Sequence, residues 1–192
     1  MDLQLKGKRA RVTGGSRGIG KAIARVLAQE GAAVVLLAGD SATLAAAAAE
    51  LSGATGGTVV GVSADTTQDD QVQHAVAEAQ RLFGGSTRNV AVAALSKNMA
   101  DELGPIGIQV TVLHPGLTRT ERTAPLVAAR AAALALSAKQ VEAQMAAGNS
   151  INHLVDAAEV ADVVASLCSP RSRAINGDAI AVGGGAPRAV HY

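Results

Sequence analysis

Apolar positions along this chain come in short blocks whose spacing alternates between that of a strand and that of a helix. Arg9-Ala10-Arg11-Val12 runs extended into a glycine-rich stretch, so Lys8 to Thr13 is predicted as the first strand. Ile23, Val26 and Leu27 then share one face of a helix over Lys21 to Glu30, which Gly31 ends as a C-terminal cap. Ala33 to Leu37 is apolar without a break, the pattern of a parallel strand covered on both faces. A second helix is predicted over Thr43 to Leu51, a glycine-rich turn over Gly53 to Gly57, and a β-branched strand over Thr58 to Ser63. Thr67 and Asp70 form a capping box for a helix with Val72, Val76, Ala79 and Phe83 on one face.

The second half keeps the rhythm. Val92, Leu95, Met99 and Leu103 recur at helical spacing, and Gly104-Pro105 closes that helix. Gln109 to His114 reads as a strand ending in Pro115-Gly116. Pro125 to about Ala147 is predicted as an alanine-rich helical flap over a site. Asp156 with Glu159 opens a helix that turns Val160, Val163, Val164 and Leu167 inward, and Ala179 to Val182 is a last strand before Gly183-Gly184-Gly185. This alternation predicts an α/β class, a Rossmann-like doubly wound parallel sheet. Without repeats or long linkers, residues 1–192 are expected to form one dinucleotide-binding domain.

Candidate chemistry concentrates in Thr13-Gly14-Gly15-Ser16-Arg17-Gly18-Ile19-Gly20, between the first strand and the first helix. Glycines there let the chain turn tightly and approach a pyrophosphate without a Cβ in the way. The bared amides and positive dipole end of the following helix would face the anion. The spacing of these glycines after a threonine resembles the cofactor loop of the short-chain dehydrogenase/reductase family. The resemblance extends to the turn at Asp65, the segment Ala100-Asp101-Glu102-Leu103-Gly104, Gln109 to Thr120, and Val160 to Gly185. It implies a cofactor site of Gly14, Ser16, Arg17, Gly18, Ile19, Gly20, Asp65, Pro115, Gly116 and Thr120, with Asp65 on the adenine and Thr120 on the nicotinamide carboxamide. It also implies hydride transfer between a nicotinamide and a small carbonyl or alcohol substrate, in a homodimer or homotetramer.

Between Phe83 and Val90 the family pattern is interrupted. The family's Asn-Asn-Ala-Gly turn and catalytic serine have no counterpart here. Aligned backward from Val92 and Leu95, the positions of its catalytic Tyr-x-x-x-Lys fall on Gly85 and Asn89, and the sole tyrosine is Tyr192. About two strand–helix units are missing, so no catalytic residue is assigned. His114 at a strand end, Lys97 on the next helix, and Ser86 or Thr87 are the remaining polar candidates, each with a plainer structural role. Three readings stay open: an oxidoreductase of this type, a nucleotide-binding pseudoenzyme, and an interaction protein. Removing both units also leaves the far edge of the first strand in question, unless Gln109 to His114 moves in beside it.

The second strand ends Leu37-Ala38-Gly39-Asp40. Asp40 stands one or two residues late for an acid that binds the ribose of NAD, and it could instead cap the next helix. Arg17 sits where a basic residue favours NADP in the family, so NADP is preferred over NAD.

Composition narrows the partners. Apolar residues make up 48% of the chain and aromatics 1%, so the core is built from Ala, Val, Leu and Ile. Seventeen basic and sixteen acidic residues nearly cancel, with no basic stripe interleaved with aromatics, which argues against nucleic acid as a partner. No membrane span or secretory signal is read from the chain. A lone cysteine, Cys168, suits a reducing compartment, and a cytoplasmic location is expected.

Overall fold

The computed structural model describes residues 2–64 and 93–185. Its first half is a parallel three-stranded sheet of β1 (Arg9–Thr13), β2 (Ala33–Ala38) and β3 (Val59–Ser63), connected through α1 (Gly18–Gln29) and α2 (Ser41–Thr55). Register runs Arg9 to Ala33 through Thr13 to Leu37, and Val34 to Val59 through Ala38 to Ser63. β2 is central because its run AVVLLA can be covered on both faces. Alternate side chains divide accordingly. Val34 and Leu36 enter a cluster with Leu27 of α1 and Leu44 and Leu51 of α2, while Val35 and Leu37 join Val62 and Ala64 on the opposite face.

The helices follow their sequence signals with adjustments. α1 begins at Gly18, three residues before the predicted start, and Gly31 beyond its end has φ +84°. α2 buries Leu44, Ala47, Ala48 and Leu51, at i, i+3, i+4 and i+7. It runs on through Gly53 to Thr55, whose hydroxyl donates to Leu51 O at 2.8 Å, so the predicted turn shrinks to Gly56-Gly57. Gly61 in β3 is needed for a close approach: a Cβ there would lie 2.9 Å from Leu44 Cγ.

The second half comprises α3 (Ala93–Leu103), a 3-10 turn (Gly104–Ile106), β4 (Val112–Pro115), β5 (Thr118–Arg119), α4 (Thr123–Leu134), α5 (Ala138–Ala146), β6 (Val155–Asp156), α6 (Ala157–Cys168), a second 3-10 turn (Pro170–Ser172) and β7 (Ala179–Val182). β4 pairs in parallel with β7, and β5 with β6. The halves are joined by α6, which packs along α1 and places Ala165 in the first half's core. Among the described residues β1 has β2 as its only strand neighbour, so β4 has not moved in beside it.

Three expectations are corrected here. The strand predicted from Gln109 begins at Val112, because the Asn176 side chain accepts the Val110 N–H at 2.9 Å and donates to Ala100 O at 3.2 Å, replacing strand pairing. The predicted flap is two helices, not one. The chain turns at Ala135 with φ +52°, then restarts behind a Ser137–Gln140 capping box. Val127, Val141, Met145, Ala146 and Leu154 give this hairpin its own apolar cluster. Finally, α6 buries Val160, Ala161 and Ala165, whereas Val163, Val164 and Leu167 are only half-buried. The helix predicted over Thr67 to Phe83 lies outside the described residues.

β4 and β7 end on a pair of glycines that face each other. A Cβ on Gly116 would stand 2.7 Å from Gly183 Cα, backbone against backbone. Gly116→Val is expected to destabilise the fold by about 1–3 kcal/mol, because neither strand can retreat without losing the ladder. A urea unfolding midpoint equal to that of the parent would show the two chain ends free to separate.

Candidate functional site

β1 delivers the chain to the C-terminal edge of the sheet, and the glycine stretch turns it back into α1. The Gly14 N–H donates to Leu37 O at 2.8 Å, so the β1–β2 ladder extends one residue into the turn. Gly14 then adopts φ +66° and its missing Cβ would point into open space. Gly15 is buried, with Leu36 Cδ2 2.9 Å from where a Cβ would be. Gly18 has φ +59° and starts α1. Gly20, the third residue of the helix, lies directly on the Gly14 carbonyl, and a Cβ there would collide with Gly14 O and C. The loop is closed by this contact of Gly14 with Gly20.

The amides of the first turn have no intrahelical acceptors. Arg17 as N-cap offers them no side-chain bond, and the first turn carries no acidic residue. A positive helix end is therefore left to be satisfied from elsewhere. The Gly18 N–H donates to Glu121 Oε2 at 3.0 Å, across 103 residues of sequence. Sequence reasoning expected bare amides here; at Gly18 that is corrected. Glu121 was missed because no local pattern announces so distant a contact.

The segment carrying Glu121 is pinned on both sides. Arg119 reaches Asp156 and Glu142, each at 3.4 Å. The Thr120 N–H donates to Thr123 Oγ1 at 2.9 Å, and the Thr123 side chain is part of the buried start of α4. Thr120 thereby comes to the glycine loop, its Cγ2 3.7 Å from where a Gly18 Cβ would lie.

Across the loop, Asp40 caps α2, accepting the Ala42 and Thr43 amides at 3.0 and 3.3 Å. Hydrogen bonds from Thr43 and Ala42 hold its carboxyl below the usual range, and the nearby Arg17 charge adds to them. Capping is thus its structural role, and Arg17 stands close enough to be felt. Gly39 has open space where a Cβ would be.

The structure brings Gly14, Ser16, Arg17, Gly18, Ile19, Gly20 and Thr120 into one neighbourhood. Pro115 and Gly116 lie exposed at the end of β4, whose partner is β7 rather than the three-stranded sheet. Asp65, Gly85, Ser86, Thr87 and Asn89 lie outside the described residues. Among the catalytic candidates, Lys97 is 2.8 Å from Asp101 in an exposed pair. The hydrogen bond to Asp101 raises its pKa above the ordinary lysine value, which weakens it as an acid. His114 is exposed on β4 beside Ala181 of β7.

Comparison with known proteins bears on this loop and on the interruption. The sequence family described as short chain dehydrogenase matches residues 8–87, and the one described as Enoyl-(Acyl carrier protein) reductase matches residues 86–187. The two matches meet inside the interval where the family pattern breaks. An oxidoreductase of Methylorubrum extorquens is 27% identical over 252 aligned positions, covering 95% of this chain and 98% of its own. Since 252 positions exceed 192 residues, at least 60 of them are gaps in this chain. The NADPH-dependent reductase BacG of Bacillus subtilis is 30% identical over 57% of this chain, but that match covers only 42% of BacG. L-Sorbose reductase from Gluconobacter frateurii, solved with NADPH and L-sorbose, shares the fold at TM-score 0.89 and 22% identity, over 99% of this chain and 100% of its own. A short chain dehydrogenase from Burkholderia cenocepacia, solved with NADP, superposes at TM-score 0.77 and 25% identity, over 95% and 98% of the two chains.

Proposed function

The chain belongs to the short-chain dehydrogenase/reductase family, and on that premise we propose that it is an NADP(H)-dependent oxidoreductase acting on a small carbonyl or alcohol. One observation carries the reading. The glycine loop is closed by Gly20 on the Gly14 carbonyl and leaves open space at the Gly14 Cα, while the Gly18 amide beside it is held by the Glu121 carboxylate, an anion where the phosphate would bind. A phosphate oxygen can come close to such amides, where a side chain at Gly14 would stand in the way.

The proposed roles combine the geometry of the glycine loop with the family resemblance, and the role of Asp65 rests on the resemblance alone. Gly14, Ser16, Gly18, Ile19 and Gly20 cradle the pyrophosphate, and Arg17 faces the ribose that bears the extra phosphate of NADP. Thr120 orients the nicotinamide end, with Pro115 and Gly116 shaping the turn before it. Asp65 takes the adenine side. Bound NADPH would supply the hydride; the chain binds, orients and excludes water. The family comparisons favour this over a pseudoenzyme or an interaction protein. A homodimer or homotetramer in the cytoplasm belongs to the same reading, on the family resemblance and the lone Cys168. Among the described residues no helix is long and apolar enough to cross a membrane.

Calorimetric titration with NADPH and NADH tests the assignment. NADPH is expected to bind more tightly, and Arg17→Glu should weaken it about ten- to hundredfold, the value of a charge-assisted hydrogen bond. NADH affinity should change far less. Equal losses for the two nucleotides would remove Arg17 from the ribose phosphate, and no binding of either would remove the function.

A further inference from the structure

The carboxylate of Glu121 has no helix of its own to cap at Gly18. It arrives from the loop between β5 and α4, from a residue that is itself exposed, and takes the first free amide of α1 at 3.0 Å. An N–H donates one strong hydrogen bond, and two anions crowded onto one helix start repel each other. We propose that Glu121 is a built-in competitor for the dinucleotide phosphate, holding the Gly18 N–H and leaving it as the phosphate arrives. This rests on the cofactor reading above.

The surrounding contacts make such an exchange cheap. Arg119 is tied to Asp156 and Glu142, and Thr120 to Thr123, so the loop backbone is anchored independently of Glu121. Rotation about the Glu121 side chain therefore frees the amide while leaving Thr120 beside Gly18. A tethered carboxylate competes at high effective concentration without any second molecule. Its result is a lower apparent affinity for the phosphate and a helix start that is capped in both states.

The test compares NADPH dissociation constants of the full chain and of Glu121→Gln, with Glu102→Gln as a control that removes an exposed charge elsewhere. Glu121→Gln is expected to bind about two- to fivefold more tightly, the range for one charge at a helix start, with the gain shrinking as salt is raised. Glu102→Gln should match the parent. The Gly18 amide resonance should shift in Glu121→Gln without ligand and, in the parent, on addition of NADPH. Equal affinity of parent and Glu121→Gln would overturn the competition and leave the function standing, and weaker binding by Glu121→Gln would do the same. Failure of every chain to bind NADPH would overturn both.

Discussion

Gly20→Val should abolish NADPH binding and lower stability together, whereas Gly14→Ala should impair binding with much less effect on the fold. The two glycines are required for different reasons. At Gly20 a Cβ collides with the carbonyl group of Gly14, so the strand end and helix start must part. Overpacking of that kind costs about 2–3 kcal/mol, or roughly 4–12 °C in Tm for a chain of this size. Once the loop opens, the amides no longer converge, and a loss of at least about a hundredfold in NADPH affinity is expected. At Gly14 a Cβ meets nothing within 4 Å, and the folding cost is the left-handed φ of +66°, about 1–2 kcal/mol. The methyl group would instead occupy space the phosphate needs. Thermal melts with calorimetry on both variants decide it. If Gly20→Val melted and bound like the parent, the Gly14–Gly20 closure would not hold the loop.

Turnover should be slow. Reduction of a carbonyl adds a hydride to carbon and a proton to oxygen, and a positioned acid normally accelerates that proton step by about 10²–10⁴. The family's tyrosine and lysine positions fall on Gly85 and Asn89, neither of which can donate a proton near neutrality. Lys97 is paired with Asp101, which raises its pKa and makes it a poorer proton donor. With NADPH in excess and a panel of small carbonyls, consumption of the reduced nicotinamide is expected at least about a hundredfold slower than for a relative carrying Tyr-x-x-x-Lys. A rate equal to such a relative would mean that another group supplies the proton. Tyr192→Phe and His114→Ala would then identify it, since they remove the sole phenol and the exposed imidazole on β4.

Much of the fold was legible because its signals are local. The continuous apolar run Ala33 to Leu37 carries the pattern of a parallel strand covered on both faces, and it is the centre of its sheet. Asp156 with Glu159 announced a helix start, and the Asp156 N–H donates to Glu159 Oε2 at 2.7 Å as a capping box requires. The break at Ala135 was hidden because alanine favours continuing the helix over the left-handed φ of +52° it adopts here, and no Gly or Pro marks the turn. The late start of β4 depended on Asn176, more than sixty residues away, as the pairing with Val110 shows.

By itself, then, the order of residues determined the strand–loop–helix with its three spaced glycines, on which the proposed phosphate site rests. It also determined that a phenol and an amine are missing where the family keeps its proton donor. Those properties follow from backbone freedom and side-chain identity, which are local. Only the tertiary structure decided that Glu121 sits on the Gly18 amide, that Asp40 serves as a cap beside Arg17, and that β4 pairs with β7 and not with β1. The Glu121 contact and the β4–β7 pairing are choices among partners far apart in the chain, made by packing and by the need of polar groups to find an opposite number, whereas Asp40 caps α2 through the adjacent Ala42 and Thr43 amides.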